Sequence, residues 1–308
     1  MKPTPYPIID LHCDLLSYLA KTPNASIHNT EDIGVALPFL KAGHVKHQVL
    51  AIFAPTQKGS VALAQKQVKA YKMLLQEDNF YPITSISDAQ KIPTSSKIGV
   101  TVAIENASGL CEEDEPLELT FKRLDDMIMA CGHLFYIGFT HHTENRFGGG
   151  NYSNNIGLKE DGKRLLEYMD NKKIAVDLAH TSDNLAYDML NHIDAKSLNI
   201  PVIASHSNFR NLWNHVRNLP PELVKAINQR QGLIGMNFLR AYIHETNPDY
   251  FINHILQGLK SETTLQHIAF GADFFYRFAI TAPERIPLFF KEHEDASKYP
   301  IILKTLEY

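Results

Sequence analysis

A (β/α)8 barrel is the fold that this sequence predicts. Short runs of β-branched and aromatic residues recur eight times, and stretches of helical period separate most of them. Polar residues with chemistry to offer gather at one end of those runs, the C-terminal end. Strand–helix alternation builds a parallel sheet, either closed into a barrel or left open and doubly wound. In a barrel the C-terminal strand ends converge on one mouth, where active sites of this architecture are built.

Taken in order, the first strand is read at 8–10, an Ile-Ile pair leading to His12 and Asp14. The second, 46–53, contains the run VLAIF, and the third, 98–104, is the continuous run IGVTVAI ending at Glu105. The fourth, 134–139, is aromatic and leads to His141; the fifth, 175–178, leads to His180. The sixth, 201–204, precedes His206, the seventh, 233–238, holds Asn237 near its end, and the eighth, 268–271, precedes Asp273. Helical periodicity is clearest over 61–76, 116–130, 159–172, 184–192, 221–229 and 250–259. Ser182 before Asp183 is an N-cap arrangement. Pro220-Pro221-Glu222 puts proline and an acid in a first turn, where the missing N–H costs nothing.

No linker, low-complexity tract or fixed repeat divides the 308 residues, so one catalytic domain spanning 1–308 is expected. Thirty Lys and Arg against 34 Asp and Glu give a net charge of −4, which argues against a nucleic-acid partner. With 44% hydrophobic and 21% charged residues the chain is neither disordered, collagenous nor a coiled coil. Cys13, Cys111 and Cys131 are odd in number, far apart and without a CxxC, which fits a reducing compartment. The N-terminus lacks an apolar signal region, and the longest apolar run, 49–54, is too short to span a membrane. A soluble cytoplasmic protein with no membrane partner is expected.

His12 and Asp14 stand at i and i+2, so on an extended strand both project to one side and reach one metal. Glu105, His180 and His206 arrive from three other strand ends. Imidazole and carboxylate without thiolate suit Zn2+ or a similar divalent ion. Five ligands exceed what one catalytic zinc with an open position takes; they suit two metals about 3.5–4 Å apart. A single histidine at a strand end is ordinarily a hydrogen-bonded structural residue, and it is the recurrence at matching ends that points to a metal centre. His28, His44, His47, His192, His215, His254 and His293 are read as surface or locally hydrogen-bonded, and Cys13 as structural, facing away from the ligands. Gly148-Gly149-Gly150 lacks the lysine and helix start of a phosphate-binding loop, so a mobile loop is expected.

Through most of its length the chain resembles the renal (membrane) dipeptidases and their bacterial relatives. Asp10-Leu11-His12-Cys13-Asp14 resembles the family's opening D-G-H-N-D, Ala103-Ile104-Glu105-Asn106 its bridging-glutamate strand, and Phe139-Thr140-His141 its L-T-H segment. Val176 through Asp183 is similar to V-D-L-S-H-x-S-D, and Ile203-Ala204-Ser205-His206-Ser207 through Arg217-Asn218-Leu219 to A-S-H-S followed by R-N. The resemblance implies a metallo-dependent-hydrolase-like barrel that holds two Zn2+ ions and cleaves dipeptides. His12 and Asp14 would hold one metal, His180 and His206 the other, with Glu105 bridging. A metal-bridging water would attack the peptide carbonyl, Asp273 would act as acid and base, and His141 would steady the oxyanion. Arg217 would grip the substrate's free carboxylate, which restricts the reaction to dipeptides, and Tyr242 stands where a substrate-contacting tyrosine is expected. The family resemblance leaves a homodimer open.

Two features depart from the family. After Gly271-Ala272-Asp273-Phe274 the family usually continues with Asp and Gly, whereas Phe275 and Tyr276 stand here and are expected to narrow or reshape the pocket. The family's closing helical segment is not matched before Tyr308, so a shortened C-terminal end to the barrel is expected. Two rival functions are a binuclear amidohydrolase acting on another amide or lactam, and a metal- or peptide-binding protein without turnover. Asp273 argues against the second, because a pure binder needs no proton carrier.

Overall fold

The computed structural model describes residues 6–153, 155–259, 267–276 and 287–306. All eight expected strands form, and all are parallel: β1 (Ile8–Cys13), β2 (Val45–Ile52), β3 (Ile98–Ile104), β4 (Leu134–Gly138), β5 (Ala175–Asp177), β6 (Val202–Ile203), β7 (Ile234–Met236) and β8 (Ile268–Phe270). Each pairs with its neighbour in sequence from β1 to β6, β7 pairs with β8, and β8 pairs with β1. A single bridge between Ala204 and Ile234 joins the sixth strand's end to β7 and nearly closes the ring. A side chain at Gly235 or Gly271 would run into the carbonyl oxygen of Ser205. The backbones approach there as closely as they do because neither residue has a Cβ.

Two hydrophobic layers hold the barrel. Leu11, Val49, Ala103, Tyr136, Ala175 and Ile203, one from each of six successive strands, pack together. Only the barrel interior brings those strands face to face. The larger cluster joins the outer strand faces to the helices; Cys13 belongs to it and faces away from the mouth, as expected.

The regular alternation of β1 breaks where chemistry begins. Asp10 pairs with Gln48 but Cys13 with Leu50, three residues advancing against two. That irregularity lets Leu11 join the interior while His12 also turns to the mouth. Asp14 is therefore not a strand residue: it caps the helix Leu15–Lys21, with φ −92° and ψ 26°. This corrects the expectation that strand alternation alone aligns it with His12. A similar shift in β4, opposite Val102 and Ile104, lets both Phe135 and Tyr136 pack on the interior cluster.

The expected helices are present, including Asp183–Lys196, where the Ser182 hydroxyl accepts from the Leu185 N–H at 2.9 Å, and Pro221–Gln229 with proline in its first turn. Elements that were not foreseen are short: helices Leu15–Lys21 and Leu37–Ala42, and strand Phe80–Pro82, which pairs with the start of β3. The last described helix, Tyr299–Thr305, has seven residues. No helix among the described residues is long and apolar enough to cross a membrane. His47, His254 and His293 are buried rather than superficial. His47 bonds Thr101 at 2.8 Å, and His254 accepts from the Phe209 N–H at 3.2 Å. His47 and His254 are thus locally hydrogen-bonded, and His293 packs among the rings of Phe238, Phe251 and Phe290.

Candidate metal centre

Four strand ends and one helix cap bring His12, Asp14, Glu105, His180 and His206 together. Among the described residues four sets of side chains place ligand atoms within 4.8 Å of one another. Two are His12, His206 and Asp273, and His141, His142 and His180; the expected ligands make up the other two, His12, Asp14 and Glu105 in one and Glu105, His180 and His206 in the other. Glu105 belongs to both. Its Oε1 lies 3.1 Å from His180 Nε2 and 4.0 Å from His206 Nε2, while its Oε2 lies 3.7 Å from His12 Nε2. The two Nε2 atoms of His180 and His206 face each other at 2.9 Å. Nitrogen lone pairs converge this way on a shared cation more readily than on each other.

The hydrogen bonds behind the His12 and His206 imidazoles set their tautomers, while among the described residues His180 Nδ1 has no partner. Tyr136 Oη lies 2.6 Å from His12 Nδ1 and donates to the Leu11 carbonyl at 3.2 Å, so it accepts from Nδ1–H and leaves Nε2 bearing the lone pair. Ser205 Oγ does the same for His206 at 2.6 Å, because its own proton goes to Asp177 Oδ2 at 2.6 Å. Asp177 is fixed in turn by the Ala179 and Ser205 N–H groups. Asp10 ties β1 to the eighth strand's end: it accepts from the His12 and Ala272 N–H groups and from the Tyr299 hydroxyl. Sequence reasoning gave Tyr136, Asp177, Ser205 and Asp10 no role. The only signal for them was the general need of a metal-binding imidazole for a partner at its second nitrogen.

The donor set fits a divalent cation. Among the described residues, His12 Nε2 and Asp14 Oδ1 are buried without a hydrogen-bond partner. Burial, and then the Arg217 charge, holds the His12 imidazole neutral down to about pH 3. His141, His180 and His206 are likewise held well below the usual range, chiefly by burial. Burial pushes Asp14 up to about 7, with repulsion from Asp273 adding to it, and raises Glu105 well above the usual carboxylate range. Buried carboxylates beside neutral imidazoles are the environment in which a dication offsets the desolvation cost.

Asp273 stands beside this cluster, its Oδ1 3.6 Å from His12 Nε2 and its Oδ2 accepting from Asn237 Nδ2 at 3.0 Å. Burial raises its pKa to about 7, against the opposing pull of Arg217. His141 Nε2 is 3.6 Å from Glu105 Oε1. Arg217 is buried: Nη1 donates to the Ala179 carbonyl, Nη2 donates to the His206 carbonyl at 3.3 Å and lies 3.3 Å from His180 Nε2, and among the described residues Nε has no partner. The Tyr242 ring lies 5.2 Å from its guanidinium. Above the cluster opens a cavity of about 510 Å3, lined by His141, His142, Tyr242, Phe275 and Tyr276 among others. His142, unforeseen from sequence, bonds Asn151 at 3.2 Å and stacks on Tyr152.

Gly148-Gly149-Gly150 is not the loose loop the sequence suggested. All three are buried; Gly148 bridges to Leu158 and Gly150 to Thr181, the Gly149 carbonyl accepts from the Ser182 N–H at 2.9 Å, and a side chain at Gly150 would meet the carbonyls of His141 and His142. The glycines let this strap pass directly beneath the two histidines.

A family model described as membrane dipeptidase (peptidase family M19) matches residues 4–308. Among curated proteins, an uncharacterised Acinetobacter calcoaceticus protein from the PQQ-III 3′ region is 27% identical over 68% of this chain and 64% of its own length. Dipeptidase 3 of Rattus norvegicus is 23% identical over 98% of this chain and 60% of its own. The match thus spans less than two thirds of either relative. Among solved structures, a metallopeptidase of Rhodobacter sphaeroides, liganded with a phosphinate mimic of the dipeptide L-Ala-D-Ala, has a TM-score of 0.80 at 17% identity. That likeness covers 99% of this chain and 93% of the other, and it shows a shared fold.

Proposed function

The chain belongs to the membrane dipeptidase family, and from that premise we propose that it hydrolyses dipeptides at a centre of two zinc ions. The observation that carries the reading is the pair of ligand sets, His12–Asp14–Glu105 and Glu105–His180–His206, sharing one carboxylate. Divalent metals held there would polarise the scissile carbonyl and lower the pKa of water to near neutrality.

The remaining roles fall to the chain's own groups. Asp273, beside His12 and held by Asn237, takes a proton from the attacking water and returns it to the leaving amine. His141, kept neutral by burial, donates to the oxygen on which negative charge develops. Arg217, whose guanidinium lies 5.2 Å from the Tyr242 ring on the cavity wall, takes the free α-carboxylate of the substrate. A tripeptide would put a neutral amide where that carboxylate belongs. The phosphinate dipeptide mimic bound by the Rhodobacter relative supports the same substrate class. Three buried free cysteines support a reducing, cytoplasmic location.

The test is amino-acid release from L-Xaa-L-Yaa and L-Xaa-D-Yaa dipeptides by zinc-reconstituted protein, with a tripeptide as control. Cleavage of dipeptides alone is the expected result. No cleavage of any member by protein with two metals bound overturns the reading.

A further inference from the structure

Two cations flank the cavity over the metal centre from opposite sides: Arg217, buried behind the Tyr242 ring that lines the wall, and Lys21 at the rim. Arg217 belongs to the loop after β6, and β6 stands diametrically across the eight-stranded ring from β2. On that far side are Phe53, the residue after β2, and Lys21, which ends the Leu15–Lys21 helix after β1; both line the cavity. Lys21 Nζ lies 5.4 Å from the Phe53 ring centroid, and that ring lies 4.7 Å from the His141 ring. A cation–π contact therefore holds the ammonium at the rim, one ring away from the reacting groups.

Lys21 differs from the other cation on the cavity wall. Arg240 is committed: its Nε donates to the Glu245 carbonyl at 2.7 Å, and its guanidinium lies 5.0 Å from the Phe290 ring. Among the described residues Lys21 has no hydrogen-bond acceptor and no ion-pair partner. The carboxylates that act on it through space, Asp14 and Glu105, belong to the metal centre.

The geometry points to Lys21 as a specificity-determining residue that selects dipeptides with Asp or Glu at the N-terminal position. The inference rests on the dipeptidase reading. With the substrate carboxylate at Arg217 and the peptide bond over Glu105, the N-terminal residue extends toward β1 and β2. Its side chain then meets Phe53 and the uncommitted ammonium. A side-chain carboxylate pairs with Lys21 there, and a cationic side chain is repelled.

The experiment compares kcat/KM of metal-reconstituted wild type, Lys21→Met and Lys21→Glu on Glu-Ala, Gln-Ala, Lys-Ala and Ala-Ala, with a melting midpoint for each variant. Wild type should prefer Glu-Ala to Gln-Ala by about fivefold, mainly through KM, which is the scale of one partly exposed ion pair. That ratio should fall to about one in Lys21→Met and in wild type at about 1 M salt. Lys-Ala should overtake Glu-Ala in Lys21→Glu. If a variant does not fold, the salt dependence of the wild-type ratio still decides. Glu-Ala cleaved no better than Gln-Ala, or a ratio that survives Lys21→Met, overturns the role of Lys21 and leaves the dipeptidase reading standing. Failure to cleave any dipeptide, Ala-Ala included, overturns both.

Discussion

Asp273 sits in the left-handed backbone region with φ 64°, where a non-glycine residue costs about 1 kcal/mol or more. Its N–H bonds the His12 carbonyl at 3.2 Å and its side chain is held by Asn237, so the surroundings fix that conformation. Asparagine tolerates the same backbone and keeps an acceptor for Asn237. In the dipeptidase reading, Asp273→Asn should therefore leave fold and metal content intact while kcat falls about 10^2–10^4-fold. Elemental analysis alongside steady-state kinetics checks this, and an unchanged rate would remove Asp273 from the proton-transfer role. At this scale the sequence told which His and carboxylate side chains meet at the barrel mouth, because His and carboxylate at strand ends have few other uses in combination. It was silent about Tyr136 and Ser205, whose roles come from lying behind an imidazole 124 residues away in the first case and next to one in the second.

Among the elements, the strap after β4 shows how backbone packing serves the site. Asn145 Nδ2 bonds the Phe139 carbonyl and Asn106 Oδ1, its Oδ1 accepts from the Phe147 N–H, and Gly150 passes against His141 and His142. A methyl group at Gly150 must displace those carbonyls. Gly150→Ala should cost about 1–3 kcal/mol of stability, the scale of overpacking, and lower kcat/KM by moving His141. Urea melts together with kinetics would show both; a variant as stable and active as wild type would mean that the strap yields without moving the histidines. Three consecutive glycines looked like freedom in the sequence. In the fold they are a requirement for close approach, a distinction that depends on what lies beneath them. Strands with long β-branched runs were legible for the opposite reason: β3, seven residues all buried, admits few alternatives. The helix Leu15–Lys21 was too short to show a period, yet it carries Lys21 to the cavity rim.

For the whole molecule, burial of histidine outside the site makes stability depend on pH. His47, His254 and His293 lie far from the ligands in sequence, and burial lowers each from 6.5 to about 4. The unfolded chain thus binds their protons first as pH falls. Their stabilising contribution is complete above about pH 6.5, is lost progressively between 6.5 and 4, and stays constant below that. Each is worth on the order of 1–3 kcal/mol across the window. Replacing His47 by Gln should flatten the fall in unfolding free energy between pH 7 and 4.5; superimposable profiles of the two proteins would exclude the effect. What the sequence determined by itself was the barrel, its eight strands and the five side chains that meet at its mouth, because hydrophobic periodicity and residue type are local and survive without coordinates. What only the tertiary structure decided was the turning of His12 by an irregular β1, the burial of Arg217 under Tyr242, the tightness of the glycine strap and the placing of the Lys21 ammonium over Phe53. Each depends on contacts between residues distant in the chain, and the physics of burial acts on those contacts alone.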